Sequence, residues 1–332
     1  MYNRPMKYLI IALILIAAAY LAVSYTEYRR NFYVRYSEPT GFTEFYLGKN
    51  PELKHRDFSC LSSKGTRLRG ILLIPQDDPR ALIVMVHGYN LSSENYLALA
   101  HRFVKSGYQV LLFDGTGVGM SEGKGIYGLP QHIPDLKSVL DEVCSDPDLK
   151  ALPLLLFGHS WGGYAACTIP AVENYPLKGI LACSAFFNSS SSKAPTIRRR
   201  YPLLAPMYIG SAEFLERQLF GPVASLTAPD GLAKASCPVM LIHSEDDHVV
   251  PYDDAFLKIK NSLSSHENIS FISVKGRGHN LFLDPENDRR QREIRKMPDV
   301  PGLEAELRDL MSETDPEMAD RFTAFFDSCL LS

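Results

Sequence analysis

The feature that most limits what this chain can fold into is a series of short apolar runs between residues 81 and 274. Ala81 to Val86, Val110 to Phe113, Leu154 to Phe157, Gly179 to Cys183, Val239 to Ile242 and Ile269 to Val274 are nearly continuous in apolar residues. Stretches of helical spacing, such as Asn95 to Lys105 and Pro134 to Cys144, lie between them. Strands that read as apolar on both sides are buried on both faces, and the intervening helices supply the cover. The pattern predicts an α/β protein with a mostly parallel central sheet flanked by helices. Ahead of it, Ser59 to Ser63 and Leu68 to Ile74 flank Lys64-Gly65, a hairpin signal. In such sheets the chemistry collects beyond the carboxyl ends of the strands.

One region interrupts the alternation. From Phe186 to about Ser236 a serine run, Arg198-Arg199-Arg200 and a bulky apolar stretch around Leu203, Met207, Phe214 and Phe220 replace it. This reads as a small cap inserted at about residues 187–236.

The N-terminus is a separate matter. Tyr8 to Tyr25 contains no Asp, Glu, Lys, Arg or His. Eighteen such residues at about 1.5 Å each nearly cross a hydrocarbon layer of about 30 Å. Arg4, Lys7, Arg29 and Arg30 against Glu27 give the first 30 residues a charge of +3, so the remainder carries −6 of the net −3. Three readings compete: a buried core helix, a signal peptide cut near Ala22-Val23-Ser24, and an uncleaved anchor. The length of the run and the basic residues after it favour the anchor. We read residues 1–27 as a single-pass transmembrane helix, 28–56 as a juxtamembrane connector and 57–332 as the α/β domain. The short basic N-terminal segment leans toward an extracytoplasmic domain.

Composition is that of an ordinary globular protein, 45% hydrophobic and 22% charged. A disordered chain and a nucleic-acid partner are not indicated. The six cysteines form no C-x-x-C pair and read as single buried thiols.

The chemistry centres on Gly158-His159-Ser160-Trp161-Gly162, between an apolar run and a small-residue helical stretch. A serine at a tight strand-to-helix turn needs neighbours without side chains, and Gly158 and Gly162 hold those positions. Such a serine needs a base, and the base an acid. Four histidines follow residue 160: His243, His248, His266 and His279. His279 follows the run ending at Val274, where a base at a strand's carboxyl end belongs. Glu245, Asp246 and Asp247 crowd the loop after Ile242. Asp247 is chosen because Val249-Val250-Pro251 would fix the loop just past it, and Asp246 is the runner-up. A metal site from His243, Glu245 and His248 is the rival chemistry, without matching ligands elsewhere. An oxyanion hole needs two backbone N–H donors, expected from Trp161 and from Tyr89 in the His87-Gly88-Tyr89-Asn90 loop. Trp161, the only tryptophan, is expected to report ligand entry by its fluorescence.

Taken together the chain resembles an α/β-hydrolase fold serine hydrolase of the serine aminopeptidase and monoacylglycerol lipase-like branch. The matching segments are His87-Gly88, Asp114 to Gly123, Gly158 to Gly163, the Asp247 loop and Gly278-His279, spanning about 57–285. The resemblance implies a Ser160-His279-Asp247 triad and no cofactor, and it leaves the substrate open; the membrane tether and the apolar cap, with Arg198 to Arg200 suited to anionic head groups, lean toward a small-molecule or lipid ester. The branch often carries Arg where Thr116 stands, and Gly where Ser244 stands. An exopeptidase is the alternative, with Glu213, Glu216 or Asp230 to bind a free amine. A non-catalytic module on the same fold is a third reading. Arg289-Arg290-Gln291-Arg292 reads as a solvated face rather than a phosphate site.

Overall fold

The computed structural model describes residues 4–200, 202–297 and 302–331, with only the backbone of Arg4, Pro5, 194–196, Arg198 and Arg200. Eight strands form one sheet: β1 (Lys54–Leu61), β2 (Arg67–Ile74), β3 (Leu82–Val86), β4 (Gln109–Phe113), β5 (Leu154–His159), β6 (Leu177–Cys183), β7 (Val239–Ser244) and β8 (Ile269–Val274). Their order is β1-β2-β4-β3-β5-β6-β7-β8. The β1–β2 hairpin and the β2–β4 pair are antiparallel, and every later pair is parallel.

Among the described residues twelve α-helices accompany the sheet: α1 (Arg4–Phe32), α2 (Phe42–Lys49), α3 (Leu97–Lys105), α4 (His132–Ser145), α5 (Trp161–Thr168), α6 (Ser189–Arg200), α7 (Ala205–Phe220), α8 (Ala228–Leu232), α9 (Lys258–Ser262), α10 (Pro285–Ile294), α11 (Leu303–Met311) and α12 (Pro316–Cys329). Period-two alternation along each strand divides the core in two. Val84, Leu111, Leu156 and Ala182 pack on one face with α4, α5 and α8. Ile83, Leu112, Phe157 and Leu181 pack on the other with α3 and α12. Residues of β3, β4 and β5 are all buried, which is why their runs read as unbroken.

Three boundaries differ from the sequence reading. The sheet starts at Lys54, ahead of the expected 57, because β1 pairs along its whole length with β2. The connector is part of the folded body: Phe42, Tyr46 and Leu53 are buried in the second core. Arg35 donates to the carbonyls of Gly119, Ser121 and Gly123, and Tyr36 bridges to Val118. Within the insertion α8 packs on α5, with Gly231 tight against Cys167 and Thr168, so only α6 and α7 form the cap.

Helix α1 runs without a break from Arg4 to Phe32. From Met6 to Ala19 every residue is exposed. Beyond that, Ser24, Tyr28 and Phe32, four residues apart, turn one face onto the protein. Tyr28 OH donates to the carbonyl of Tyr127, and Tyr127 N–H donates to the carbonyl of Phe32.

Candidate active site

The site lies at the carboxyl ends of β3, β5, β7 and β8. Strand β5 ends at His159, and the chain turns sharply at Ser160 into α5. Ser160 holds φ 54° and ψ −110°, a conformation costly for a residue with a Cβ. The neighbouring glycines make the turn possible. A Cβ on Gly158 would lie 2.4 Å from the carbonyl oxygen of Gly162, and one on Gly162 would lie 2.1 Å from that of Val86. The elbow therefore presses against the end of β3, where the expected oxyanion loop begins.

The structure brings Ser160, His279 and Asp247 into one hydrogen-bonded line. His279 Nε2 is 2.9 Å from Ser160 Oγ, and His279 Nδ1 is 2.7 Å from Asp247 Oδ2. The carboxylate can only accept, so the proton sits on Nδ1 and the Nε2 lone pair faces the serine hydroxyl. Asp247 Oδ1 accepts the N–H groups of Val249 and Val250, the apolar pair that follows it. His243 Nε2 lies 3.2 Å from Asp247 Oδ2 and donates to the carbonyl of Val250. Burial alone would raise the Asp247 pKa, but hydrogen bonds and charge from His243 and His279 outweigh it and hold the carboxyl far below its usual range.

The adjacent Asp246 has a different task. It accepts from Ser244 Oγ and from the N–H groups of Gly276 and Gly278, tying down the turn that delivers His279. The rival metal residues go separate ways: His243 faces Asp247, Glu245 pairs with Lys275, and His248 is exposed.

A second buried line runs beneath the first. Gly88 N–H donates to Tyr96 OH, which donates to His159 Nδ1 at 2.8 Å. His159 Nε2–H then donates to the backbone carbonyl of His279, which also accepts from Ser184 Oγ. Tyr96 and His159 thus join three loops: the one holding Tyr89, the elbow and the His279 turn. Burial first, and the charge of His279 second, push His159 down to about 3, so it stays neutral. The sequence reading passed over both residues. The signal it held was a polar residue inside an otherwise apolar strand end.

Trp161 is the first residue of α5, so its N–H has no partner within the helix. Its indole is buried, stacks on His132 at 3.6 Å, donates to the carbonyl of Leu129 and meets the Tyr89 ring edge-on. The ring backs Leu129 and Tyr89, so a response of its fluorescence to ligand entry would pass through these two residues. Tyr89 lies in the loop after β3 and does line the cavity.

Ser160 opens into a cavity of about 290 Å³. Apolar walls come from Leu129, Phe186, Ile197, Val249 and Val250, and polar groups from Ser192 and Lys193 of α6. Glu27, Asn31 and Phe32 of α1 complete the lining.

Residues 77–219 match the family described as serine aminopeptidase, S33. A monoacylglycerol lipase of Mycolicibacterium smegmatis is 24% identical over 255 residues, covering 67% of this chain and 89% of that protein. Phospholipase YtpA of Bacillus subtilis is 26% identical over 250 residues, 64% of this chain and 92% of that protein. Among solved structures, the Pyrococcus furiosus esterase Pf2001 has the same fold, with a TM-score of 0.57 and 18% identity, over 79% of this chain and 97% of that one. The chain is a hydrolase with the α/β-hydrolase fold. In this hydrolase Thr116, at the branch's frequent arginine position, gives its N–H and its hydroxyl to buried Asp135. The basic run in α10 is matched by acids: Arg289 by Glu286, Arg290 by Glu306 and Arg292 by Asp288.

Proposed function

We propose that this hydrolase is a membrane-anchored enzyme that cleaves carboxylic esters through an acyl-enzyme. The observation that carries the reading is the Ser160–His279–Asp247 line at 2.9 and 2.7 Å, opening into an apolar cavity. Ser160 Oγ attacks the ester carbonyl carbon while its proton passes to His279 Nε2. The oxyanion is received by the N–H groups of Tyr89 and Trp161. Collapse breaks the C–O bond, and the departing alkoxide takes the proton from His279. Water, deprotonated by His279, then attacks the acyl-Ser160 carbonyl, and the acid leaves as the proton returns to Ser160. Asp247 stays ionised throughout and holds Nδ1–H in place.

The named relatives, a monoacylglycerol lipase and a phospholipase, support a lipid or acyl ester as substrate. The carboxylates suggested for an aminopeptidase are already engaged. Glu216 pairs with Lys193, Glu213 accepts from Ser190, and Asp230 caps α8 through Thr227. The anchor reading is supported by a helix of 27 residues, Met6–Phe32, long and apolar enough to cross a bilayer. Signal cleavage after Ser24 would cut an unbroken helix whose next two turns bury Tyr28 and Phe32 in the hydrolase core. In this reading the catalytic domain lies outside the cytoplasm.

The test is fluorophosphonate labelling of the full-length chain in micelles, wild type against Ser160→Ala and His279→Ala. Labelling is expected to vanish in both variants, with hydrolysis of p-nitrophenyl esters and none of aminoacyl amides. A folded wild type that neither labels nor hydrolyses esters sinks the proposal.

A further inference from the structure

The last turns of α1 lie in the wrong place for a plain tether. Glu27, Asn31 and Phe32 line the same cavity as Ser160. Their placement is fixed, because Tyr28 and Phe32 belong to the main core and Arg35 and Tyr36 bond to the 117–123 loop immediately after. The height of this wall follows from helix geometry. The uncharged stretch ends at Tyr25, and Glu27 stands two residues on, about 3 Å along the axis. With that stretch in a bilayer, the cavity wall begins at the level of the lipid head groups.

The polar corner of the cavity is built between α1 and the cap. Lys193 Nζ pairs with Glu216, which is buried and also accepts from Ser189 Oγ at 2.7 Å. The Lys193 ammonium sits 5.2 Å from the centre of the Phe32 ring, so α1 helps to seat it. Burial pulls its pKa below the ordinary lysine value, against the opposing charge of Glu216. The pair cancels in charge but leaves Lys193 with N–H donors beyond the one given to Glu216. Glu27, which pairs with the exposed Arg30, adds a carboxylate to the same lining. An anionic head would compete with Glu216 for one lysine and meet Glu27. A hydroxyl or carbonyl oxygen meets a donor at no such cost.

We propose that α1 is a wall of the substrate site: Glu27, Asn31 and Phe32, with the Lys193–Glu216 pair, form a subsite for the uncharged, oxygen-bearing head of a lipid ester taken from the bilayer that holds α1. The inference rests on the ester-hydrolase reading of Ser160. The exposed apolar side chains Leu203, Leu204 and Met207 at the start of α7, and Val249 at the cavity, give a lipid chain apolar surface to follow.

The experiment uses full-length protein in phosphatidylcholine vesicles and three lauroyl esters: lauroylglycerol, lauroylglycerol phosphate and p-nitrophenyl laurate. Wild type is expected to prefer lauroylglycerol over its phosphate at least tenfold in kcat/KM. Lys193→Met combined with Glu216→Gln removes both charges without stranding either. It is expected to lower the ratio of lauroylglycerol to p-nitrophenyl laurate activity about tenfold, mainly through KM. Asn31→Leu and Phe32→Ala are expected to lower the same ratio three- to tenfold. Retained fluorophosphonate labelling shows that each variant has folded. Lauroylglycerol placed in the enzyme's own vesicles is expected to turn over at least tenfold faster than in separate vesicles. An unchanged ratio in all three variants, or equal rates from both vesicle arrangements, overturns the proposal. Ester hydrolysis that survives Ser160→Ala would instead overturn the reading beneath it.

Discussion

The floor and the roof of the cavity are built by different rules. The floor is made of strand ends and the turns that follow them: Ser160, His279, Asp247, Tyr96 and His159 are all buried and hydrogen-bonded to one another or to backbone. The roof is made of helix faces, α1, α6 and α7, joined by apolar contacts, one buried ion pair and the hydrogen bonds of Ser189 and Ser190 to Glu216 and Glu213. The floor fixes atoms to within a hydrogen bond and suits a reaction that does not vary. The roof selects by shape and polarity, and its outer surface carries side chains as open as Leu203, 91% exposed.

Substitutions can break or sharpen this contrast. Ser160→Ala should lower hydrolysis of every ester by about 10⁴-fold or more in steady-state kinetics, with folding intact. A loss as large from Ile197→Ala in the roof would erase the distinction. Gly162→Ala should cost at least about 3 kcal/mol in thermal unfolding, because its Cβ would meet the carbonyl of Val86 at 2.1 Å. A normal melting temperature would mean that the elbow and the end of β3 can part. Tyr96→Phe removes the hydroxyl shared by Gly88 and His159, and should lower kcat about 10- to 100-fold with KM little changed. A KM effect without a kcat effect would move Tyr96 from the floor to the roof.

The pH dependence of the floor follows from His159. Its folded pKa, about 3, lies below the value of about 6.5 in an unfolded chain. Below pH 6.5 the unfolded chain takes up a proton that the folded one refuses. Stability should therefore fall as pH drops from 6.5 toward 3, by up to about 1.4 kcal/mol per pH unit from this site. In denaturant titrations His159→Asn should lose that part of the slope, and an unchanged slope would place a charged His159 in the fold. The smallest effect belongs to the roof's outer face. Phe214→Ser, at a position 61% exposed, should shift stability by less than about 0.5 kcal/mol.

The same contrast explains what the sequence lets one read. The floor is written locally. An apolar run followed by Gly-x-Ser-x-Gly names the elbow, and the end of β8 points to His279. Val249 and Val250, cited as the anchor of the acid loop, give their N–H groups to Asp247. The roof is written in contacts between distant residues: Phe32 meets Lys193, and Tyr28 meets Tyr127. Nothing in the apolar run of α1 marks its last two turns as cavity wall, because the residues that complete the wall lie more than 50 positions away. Tyr96 escaped for a related reason. Its hydroxyl is spent on Gly88 and His159, whereas its ring packs like any core aromatic against Phe157 and Phe282.

The stacked pair of Trp161 and His132 gives the protein an optical gauge of its own. A protonated imidazole quenches indole emission and a neutral one does so weakly. Burial drives the His132 pKa well below its ordinary value, so the folded protein should emit steadily through mild acid. A single indole also means an unmixed signal. Its change on acidification would time the moment when the packing under the nucleophile comes apart, separately from the rest of the chain.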